Sequence, residues 1–466
     1  MNGSTAGALA LATAFREGKL SPVEVVESTL TRVRTLNPTL NAFVSLRQEA
    51  ALEDARHSAA RYAAGCPLSA LDGVPLAVKD NLLTFDMPTT WGSVALKNHN
   101  PSHDELAVER ARGAGLVIIG KTNVPEFTLE GFTANTLFGT TPNPWDLRLT
   151  PGGSSGGSVS AVASGMVPLA LGTDGGGSIR RPAGYTGLVG LKPSIGAVPR
   201  VHTLPPLLLD FEVVGVLARD VEDASALFDV IAGPHPRDRA SLGLATPPRG
   251  LSDRPRILYV PALGDAPVDP EIDRACREAV LRLAGDDHVL MEGPLPLDLT
   301  ALNDQWSGFG EVGLATLFEA HPAWRQGAGP GYLAMADRGA SRPASWLWAM
   351  LEHVASLRRA ADLLFESIDL IITPSSAAMP WPTGQPFPGR IDGRSVGPRG
   401  HAVFTGWVNA TGLPAVALPV SPSGDGLPIG IQCIGPMGCD RGLWRWAASA
   451  ARRCSSGWRD PPCLAS

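Results

Sequence analysis

Two glycine-rich loops, each holding a serine, are the densest concentration of residues that could do chemistry. Residues 150–158 read TPGGSSGGS and contain Ser154, whereas residues 172–182 read GTDGGGSIRRP and contain Ser178. Glycine permits positive φ and lets several backbone N–H groups converge on one small anion. The second loop therefore suits an oxyanion hole beside a serine nucleophile, although a single glycine-rich loop is more often a simple turn.

A serine nucleophile needs a base, which is usually a histidine and in some enzymes a lysine. None of the nine histidines lies in a recognisable setting near the loops. Lys79, in contrast, directly follows the apolar run 73–78 (GVPLAV). Burial at such a position lowers the pKa of a lysine from about 10.4 towards neutrality, so that its amine can accept a proton. The alternative is a lysine that extends from a strand end into solvent.

Several segments together resemble the amidase signature family of serine hydrolases. The strongest matches, which carry the loops and the lysine, are 73–80, 152–157, 172–180 and 187–193. Weaker matches, which extend the resemblance over most of the chain, are 217–223, 409–414 and 426–432. The spacings of 75 positions from Lys79 to Ser154 and of 24 positions from Ser154 to Ser178 also fit the family pattern.

The resemblance implies a role for each residue of a Ser178–Ser154–Lys79 triad. Ser178 would be the nucleophile, and Ser154, after a cis peptide bond, would pass its proton to neutral Lys79. An acyl-enzyme would form, ammonia or an amine would leave, and water would complete the hydrolysis. The oxyanion would be held by the N–H groups of Gly175, Gly176, Gly177 and Ser178. The loops would be supported by Ser155, Asp174 and Arg180.

Two positions depart from the family pattern. Gly175 stands where many relatives have a larger residue, and threonine is usual there in the amidotransferase subunits of the family. Arg181 stands where many members have an uncharged side chain. In some relatives an arginine here binds a substrate carboxylate, so Arg181 is a candidate for substrate binding. A buried salt bridge is the alternative.

Two other motifs lack the preceding strand that each of them requires. Residues 152–156 satisfy G-x-S-x-G, the nucleophile elbow of Ser-His-Asp esterases, which requires a strand directly before the serine. Pro144 and Pro151 argue against that strand, so an esterase remains only a remote alternative. Residues 308–313 match G-x-G-x-x-G, but no predicted strand precedes them, so they do not indicate a dinucleotide site.

The elements that must position these residues alternate between short apolar runs and amphipathic helices. This alternation predicts an α/β fold whose central mixed sheet is covered by helices on both faces. We expect a single domain over 1–466 with a core signature region at 70–233 and a helical insertion at 235–365. Within the insertion, 300–342 is predicted to be irregular. The C-terminal strands should rejoin the sheet over 369–452.

Aromatic residues in the insertion suggest what the substrate looks like. Between 300 and 350 lie Trp306, Phe309, Phe318, Trp324, Tyr332, Trp346 and Trp348. Trp306 and Trp346 are candidates for a pocket that binds an aryl amide, because ligand pockets are mostly apolar. The alternative is that these rings pack the insertion onto the core. Carbamates (urethanes) and esters are further substrate types, whereas Arg181 would favour an anionic acyl group.

Composition limits the partners. The net charge is −6, without the basic stripe of a nucleic-acid-binding domain, and no run of 18 apolar residues predicts a membrane span. Scattered cysteines without a C-x-x-C pair favour a reduced, cytoplasmic protein with no metal or cofactor. We therefore expect a small amide as partner, with no nucleic acid or membrane and a homodimer as a candidate assembly. The alternative function is a glutamine-hydrolysing A-type subunit of a tRNA-dependent amidotransferase, which acts in a complex.

Overall fold

The computed structural model describes residues 6–245, 250–252, 254–285, 288–454 and 461–462. Its strands, in chain order, are β1 (Phe43–Leu46), β2 (Pro75–Lys79), β3 (Val117–Thr122), β4 (Ala134–Asn135), β5 (Gly139–Thr140), β6 (Leu169–Asp174), β7 (Val189–Lys192), β8 (Val213–Ala218), β9 (Arg256–Tyr259), β10 (Val289–Glu292), β11 (Leu370–Pro374), β12 (Arg390–Ile391), β13 (Arg394–Ser395), β14 (Ala415–Pro419) and β15 (Gly430–Ile434).

The α-helices are α1 (Ala8–Arg16), α2 (Pro22–Leu40), α3 (Gln48–Ala63), α4 (Leu106–Gly113), α5 (Gly156–Ala163), α6 (Arg180–Thr186), α7 (Val221–Ile231), α8 (Arg239–Leu242), α9 (Pro270–Ala284), α10 (Thr300–Ala320), α11 (Pro322–Gln326), α12 (Pro330–Ala340), α13 (Ala344–Ser367), α14 (Gly406–Thr411) and α15 (Asp440–Cys454). Single 3₁₀ turns lie at Val94–Leu96, Glu126–Thr128, Gly243–Ala245 and Gly400–Ala402.

Eleven of the described strands form one mixed sheet in the order β1-β3-β2-β6-β8-β7-β14-β15-β11-β9-β10. The strands β3, β2 and β6 run parallel, as do β11, β9 and β10, and the pairings between these groups are antiparallel. Successive side chains of a strand point to opposite faces of a sheet. Leu76 and Val78 accordingly pack into one core cluster and Ala77 into another.

Helices cover both faces of this sheet. On one face, a cluster of buried hydrophobic side chains joins the sheet to α1, α4, α7, α9 and α15. On the opposite face, α2, α3, α5 and α6 pack near the catalytic loops, and α10, α13 and α14 cover the sheet further along. The predicted α/β fold with a central mixed sheet and two helical layers is confirmed.

The segment 300–342 corrects our expectation of irregular structure, because it forms α10, α11 and α12. The segment contains several glycines, which weaken isolated helices, so its local sequence gives only a poor helical signal. In the fold they permit close packing. A Cβ on Gly313 would collide with the carbonyl oxygen of Leu207, and a Cβ on Gly339 would collide with that of Glu311.

Other boundaries also differ from the expectation. The segment 235–365, predicted to be a helical insertion, also supplies β9 and β10 to the edge of the sheet. The predicted capping box of α2 is present at Ser21 and Glu24, but the helix continues past Pro38 to Leu40. Only the last turn contains this proline, so its missing N–H removes a single helical hydrogen bond.

The cysteines of the described residues form no disulfide bonds. Cys66, Cys276, Cys433, Cys439 and Cys454 are free thiols, and Cys463 lies outside the described residues. Among the helices of the described ranges, none combines the length and apolar character needed to cross a membrane.

Candidate active site

Lys79 is the last residue of β2 and is fully buried. Its Nζ donates to Ser154 Oγ at 2.8 Å, to Thr173 Oγ1 at 2.8 Å and to the Thr173 carbonyl oxygen at 3.2 Å. Thr173 belongs to β6, which runs parallel to β2. Because parallel strands end at the same edge of a sheet, this pairing places the lysine beside the second glycine-rich loop.

The surroundings of Lys79 favour its neutral form. Burial lowers the pKa of Lys79 to about 7, while the carboxylates of Glu212 and Asp174 raise it and Arg200 lowers it. Glu212 pairs with Arg200 at 3.1 Å. A lysine with a pKa of this order holds a free electron pair on a large fraction of molecules at neutral pH, as a general base requires.

Ser154 lies in a loop that the second glycine-rich loop contacts directly. The Gly153–Ser154 peptide bond is cis, as the resemblance implies. Gly153 must be glycine, because a Cβ would collide with the backbone of Phe132. The N–H of Ser155 donates to the Ser178 carbonyl oxygen at 3.3 Å, and its hydroxyl donates to the Thr173 carbonyl oxygen at 3.2 Å. Ser155 therefore ties the two loops together.

Ser178 faces a cavity, with 8% of its surface exposed, and Gly176 lies beside it in the cavity wall. The expected contribution of Gly177 to the oxyanion hole is wrong, because its N–H donates to Asp174 Oδ1 at 2.6 Å. Across the described part of the chain, the N–H groups of Gly175, Gly176 and Ser178 have no such internal partner. These three groups remain available to an oxyanion.

A buried ion pair holds the oxyanion loop in place. Arg180 donates to Asp174 through Nε at 3.0 Å and through a terminal nitrogen at 2.9 Å, and both side chains are fully buried. Burial opposes ionisation of Asp174, but Arg180 holds the pKa of this carboxyl well below its usual range. Asn409 donates to the Asp174 side chain at 3.0 Å, and Gln432 accepts from Arg180 at 2.8 Å.

Arg181 lines the same cavity, and within the described residues it forms no salt bridge, which was the alternative for this residue; its binding of a substrate carboxylate stays a prediction. It donates to the Gly176 carbonyl oxygen, to Thr405 Oγ1 at 2.8 Å and to the Gly153 carbonyl oxygen at 3.4 Å. The guanidinium therefore joins the two loops through neutral acceptors. Burial lowers the pKa of Arg181 to about 10, which still leaves it charged at neutral pH.

The cavity beside Ser178 has a volume of about 380 Å³. Trp306 lies in its wall, as expected, together with Leu208 and Phe387. Trp346 is not part of this wall. Its ring packs against Phe309, and its Nε1 donates to Gln305 Oε1 at 3.1 Å, so it supports the insertion instead of contacting the cavity.

Sequence reasoning missed several residues of the site. Glu130, His401 and Arg399 line the cavity, although no motif marks them. Thr173, Asn409 and Gln432 lie within segments that matched the family, so their position in those motifs was the available signal. In the described residues, no group of three or more His, Cys, Asp or Glu side chains could hold a metal ion.

The sequence profile of the Amidase family matches residues 24–443. The chain belongs to the Amidase family. This confirms the predicted membership of the amidase signature enzymes, which hydrolyse C–N bonds. A bacterial aryl acylamidase of the amidase signature family shares 28% identity with a TM-score of 0.86, over 97% of each chain. The 6-aminohexanoate cyclic dimer hydrolase shares 29% identity with a TM-score of 0.86, over 99% of each chain.

Curated relatives of this amidase family chain have a more specific name. The glutamyl-tRNA(Gln) amidotransferase A subunit of Symbiobacterium thermophilum is 36% identical over 457 residues, covering 90% of this chain and 91% of the relative. The A subunit of Chloroflexus aggregans is 35% identical, and the match covers 91% of this chain and 91% of the relative.

These names correct our expectation about partners. The sequence predicts a small amide as partner, no nucleic acid and a homodimer as a candidate assembly, with an amidotransferase complex only under the alternative function. The relatives contradict this expectation, because they are subunits of an enzyme that is named for a tRNA. The low content of basic residues did not reveal such a partner, since net charge averages over the whole surface.

Proposed function

We propose that the protein hydrolyses the side-chain carboxamide of glutamine, or of a similar small amide, through an acyl-enzyme on Ser178. The contact that carries this proposal is the 2.8 Å hydrogen bond between the buried amine of Lys79 and Ser154 Oγ. It places a base of lowered pKa beside the loop that contacts Ser178. The relatives named as glutamyl-tRNA(Gln) amidotransferase subunits support glutamine as the substrate.

The reaction follows from these positions. Ser178 Oγ attacks the amide carbon while its proton passes to Ser154, whose own proton passes to Lys79 Nζ. The carbonyl electron pair becomes an oxyanion, which the N–H groups of Gly176 and Ser178 can stabilise. When the C–N bond breaks, the relay returns the proton to the leaving nitrogen, and ammonia departs. Water then attacks the acyl-enzyme by the same relay, which releases the acid and restores Ser178.

The same relatives support a role inside a larger assembly. Their names identify them as subunits of an enzyme and refer to a tRNA, so we propose that protein partners and a tRNA acceptor use the ammonia that this chain releases. In that case glutamine hydrolysis is one half of a transamidation.

A second candidate function is the hydrolysis of aryl amides. Trp306 and Phe387 lie in the cavity wall with Ser178 and offer an apolar surface for a ring. The structural similarity to an aryl acylamidase supports this candidate. It uses the same triad and differs only in the group that occupies the cavity.

One experiment separates the two candidates. The purified full-length chain is incubated with L-glutamine and with acetanilide, and ammonia and aniline are measured, with Ser178→Ala as the control for contaminating activity. We expect ammonia from glutamine. Aniline without ammonia would select the aryl candidate. If neither ammonia nor aniline is released, amide hydrolysis by this chain would be contradicted.

A further inference from the structure

We propose that Arg399 and Glu130 recognise the charged end of the substrate, so that the cavity selects amides of α-amino acids. Arg399 would bind the carboxylate, and Glu130 would bind the ammonium group, while the side-chain amide reaches Ser178. All three residues line the same cavity of about 380 Å³. The inference rests on the proposed function, because it requires that Ser178 attacks an amide.

Arg399 is a cation whose donors are unused. Its guanidinium lies 5.1 Å from the centre of the Trp306 ring, and over the described ranges its side chain makes no hydrogen bond or ion pair. A guanidinium has five N–H donors, and a partly buried one is costly without acceptors. The stacking on Trp306 holds the group in place but leaves its edge for a planar, bidentate partner such as a carboxylate.

The other arginines of the wall are already engaged. Arg181 donates to Thr405 Oγ1 at 2.8 Å and to the carbonyl oxygen of Gly176. Arg338 pairs with Glu311 at 2.7 Å. The Nε of Arg181 has no partner, but its terminal nitrogens are engaged. Within the described residues, Arg399 is therefore the lining arginine whose guanidinium makes no hydrogen bond or ion pair.

Glu130 supplies the complementary charge. Within the described part of the chain its carboxylate accepts no hydrogen bond and has no cationic partner within 4.0 Å. Burial raises the pKa of Glu130 to about 7, and Arg399 opposes this rise. Burial and Arg181 lower the pKa of Arg399 to about 9, and Glu130 opposes this fall. Both side chains line the same cavity, and no hydrogen bond or ion pair joins them in the described structure, so a zwitterion in the cavity can contact both groups.

The test compares four amides that differ only in their charged groups. L-Glutamine has both groups, glutaramic acid lacks the ammonium, 4-aminobutanamide lacks the carboxylate, and butyramide lacks both. Ammonia release by the full-length chain gives kcat/KM for each. We expect glutamine to exceed butyramide by at least about 10-fold, because a hydrogen-bonded charge contact contributes on this scale.

Variants then assign each charge to its residue. Arg399→Gln should reduce the preference for glutaramic acid over butyramide by about 10- to 100-fold. Glu130→Gln should reduce the preference for 4-aminobutanamide over butyramide, with less effect on glutaramic acid. Arg394→Gln, which changes an exposed arginine five positions earlier in the chain and outside the cavity wall, is the matched control and should retain all preferences.

Two outcomes would overturn the inference without touching the proposed function: equal turnover of all four amides, or a uniform loss on all substrates in both variants. If no amide is cleaved, the proposed function fails, and calorimetric titration still tests the site. L-Glutamine should bind Ser178→Ala but bind the Ser178→Ala, Arg399→Gln double variant at least about 10-fold more weakly. Equal affinity for the two proteins would refute the recognition role of Arg399.

Discussion

The amine of Lys79 lies 2.8 Å from the hydroxyl oxygen of Ser154, although 75 positions separate the two residues in the chain. Both side chains are buried, and Thr173 accepts a second hydrogen bond from the same amine at 2.8 Å. The amine is therefore held between two hydroxyl groups, and in its neutral form it has two N–H donors for Thr173 and an electron pair for the hydroxyl of Ser154. A neutral amine in this position can take a proton from Ser154 without moving.

Removal of this amine should nearly abolish turnover. Lys79→Ala is expected to lower kcat by about 10³-fold or more, as the loss of a nucleophile's base does. Steady-state ammonia release measures the effect. Lys97→Ala, which removes an exposed lysine, should retain normal activity. Near-normal kcat in Lys79→Ala would exclude the lysine as the base.

The pH profile should report the protonation of Lys79. Because the base must be neutral, kcat/KM should rise through pH about 7, the pKa that burial gives this lysine, and level off above it. Glu212 raises that pKa, so Glu212→Gln should move the acidic limb to lower pH. Asp210→Asn, which alters an exposed carboxylate paired with Arg358, should leave the limb in place. A shift to higher pH in Glu212→Gln would contradict this electrostatic assignment.

The acylated residue should be Ser178. A fluorophosphonate probe is expected to label the purified chain, and mass spectrometry of its peptides should find the adduct on Ser178. Ser178→Ala should abolish labelling. An adduct on Ser154 would instead support a nucleophile elbow, although no strand directly precedes that serine in the described structure.

The ion pair between Asp174 and Arg180 should be important for stability. Both side chains are fully buried, so Asp174→Asn leaves an unpaired guanidinium and should lower the free energy of unfolding by about 3–5 kcal/mol. Denaturant titration followed by circular dichroism measures the change. Asp229→Asn breaks an exposed pair with Arg441 and should cost about 1 kcal/mol or less. Similar losses of unfolding free energy in both variants would show that burial does not strengthen the Asp174–Arg180 pair.

The two tryptophans should have different effects. Trp306 lies in the cavity wall, so Trp306→Ala should lower kcat/KM for any substrate that packs on its ring. Trp346 packs against Phe309 and Arg342 outside the wall, so Trp346→Ala should chiefly lower the melting temperature. Kinetics and thermal denaturation of both variants test this division. A selective kinetic effect of Trp346→Ala with unchanged melting would contradict it.

The family and the α/β fold could be predicted from the sequence because both depend on local features. Lys79, Ser154 and Ser178 occur in motifs with family spacing, and the profile match over residues 24–443 bears out the membership. Glycine runs and short apolar strands act over a few residues, so their pattern is readable without the fold. The composition, by contrast, led to the wrong expectation about partners.

Only the tertiary structure decided which groups meet in the site. Residues 300–342 form helices that pack closely at Gly313 and Gly339, and such contacts between distant segments leave no periodic trace in the sequence. The fold also decides the role of Gly177, because its N–H donates to Asp174 and is not available to the oxyanion. Arg399 and Glu130 lie 269 positions apart (399 − 130), and only the folding of the chain brings them into the wall of one cavity.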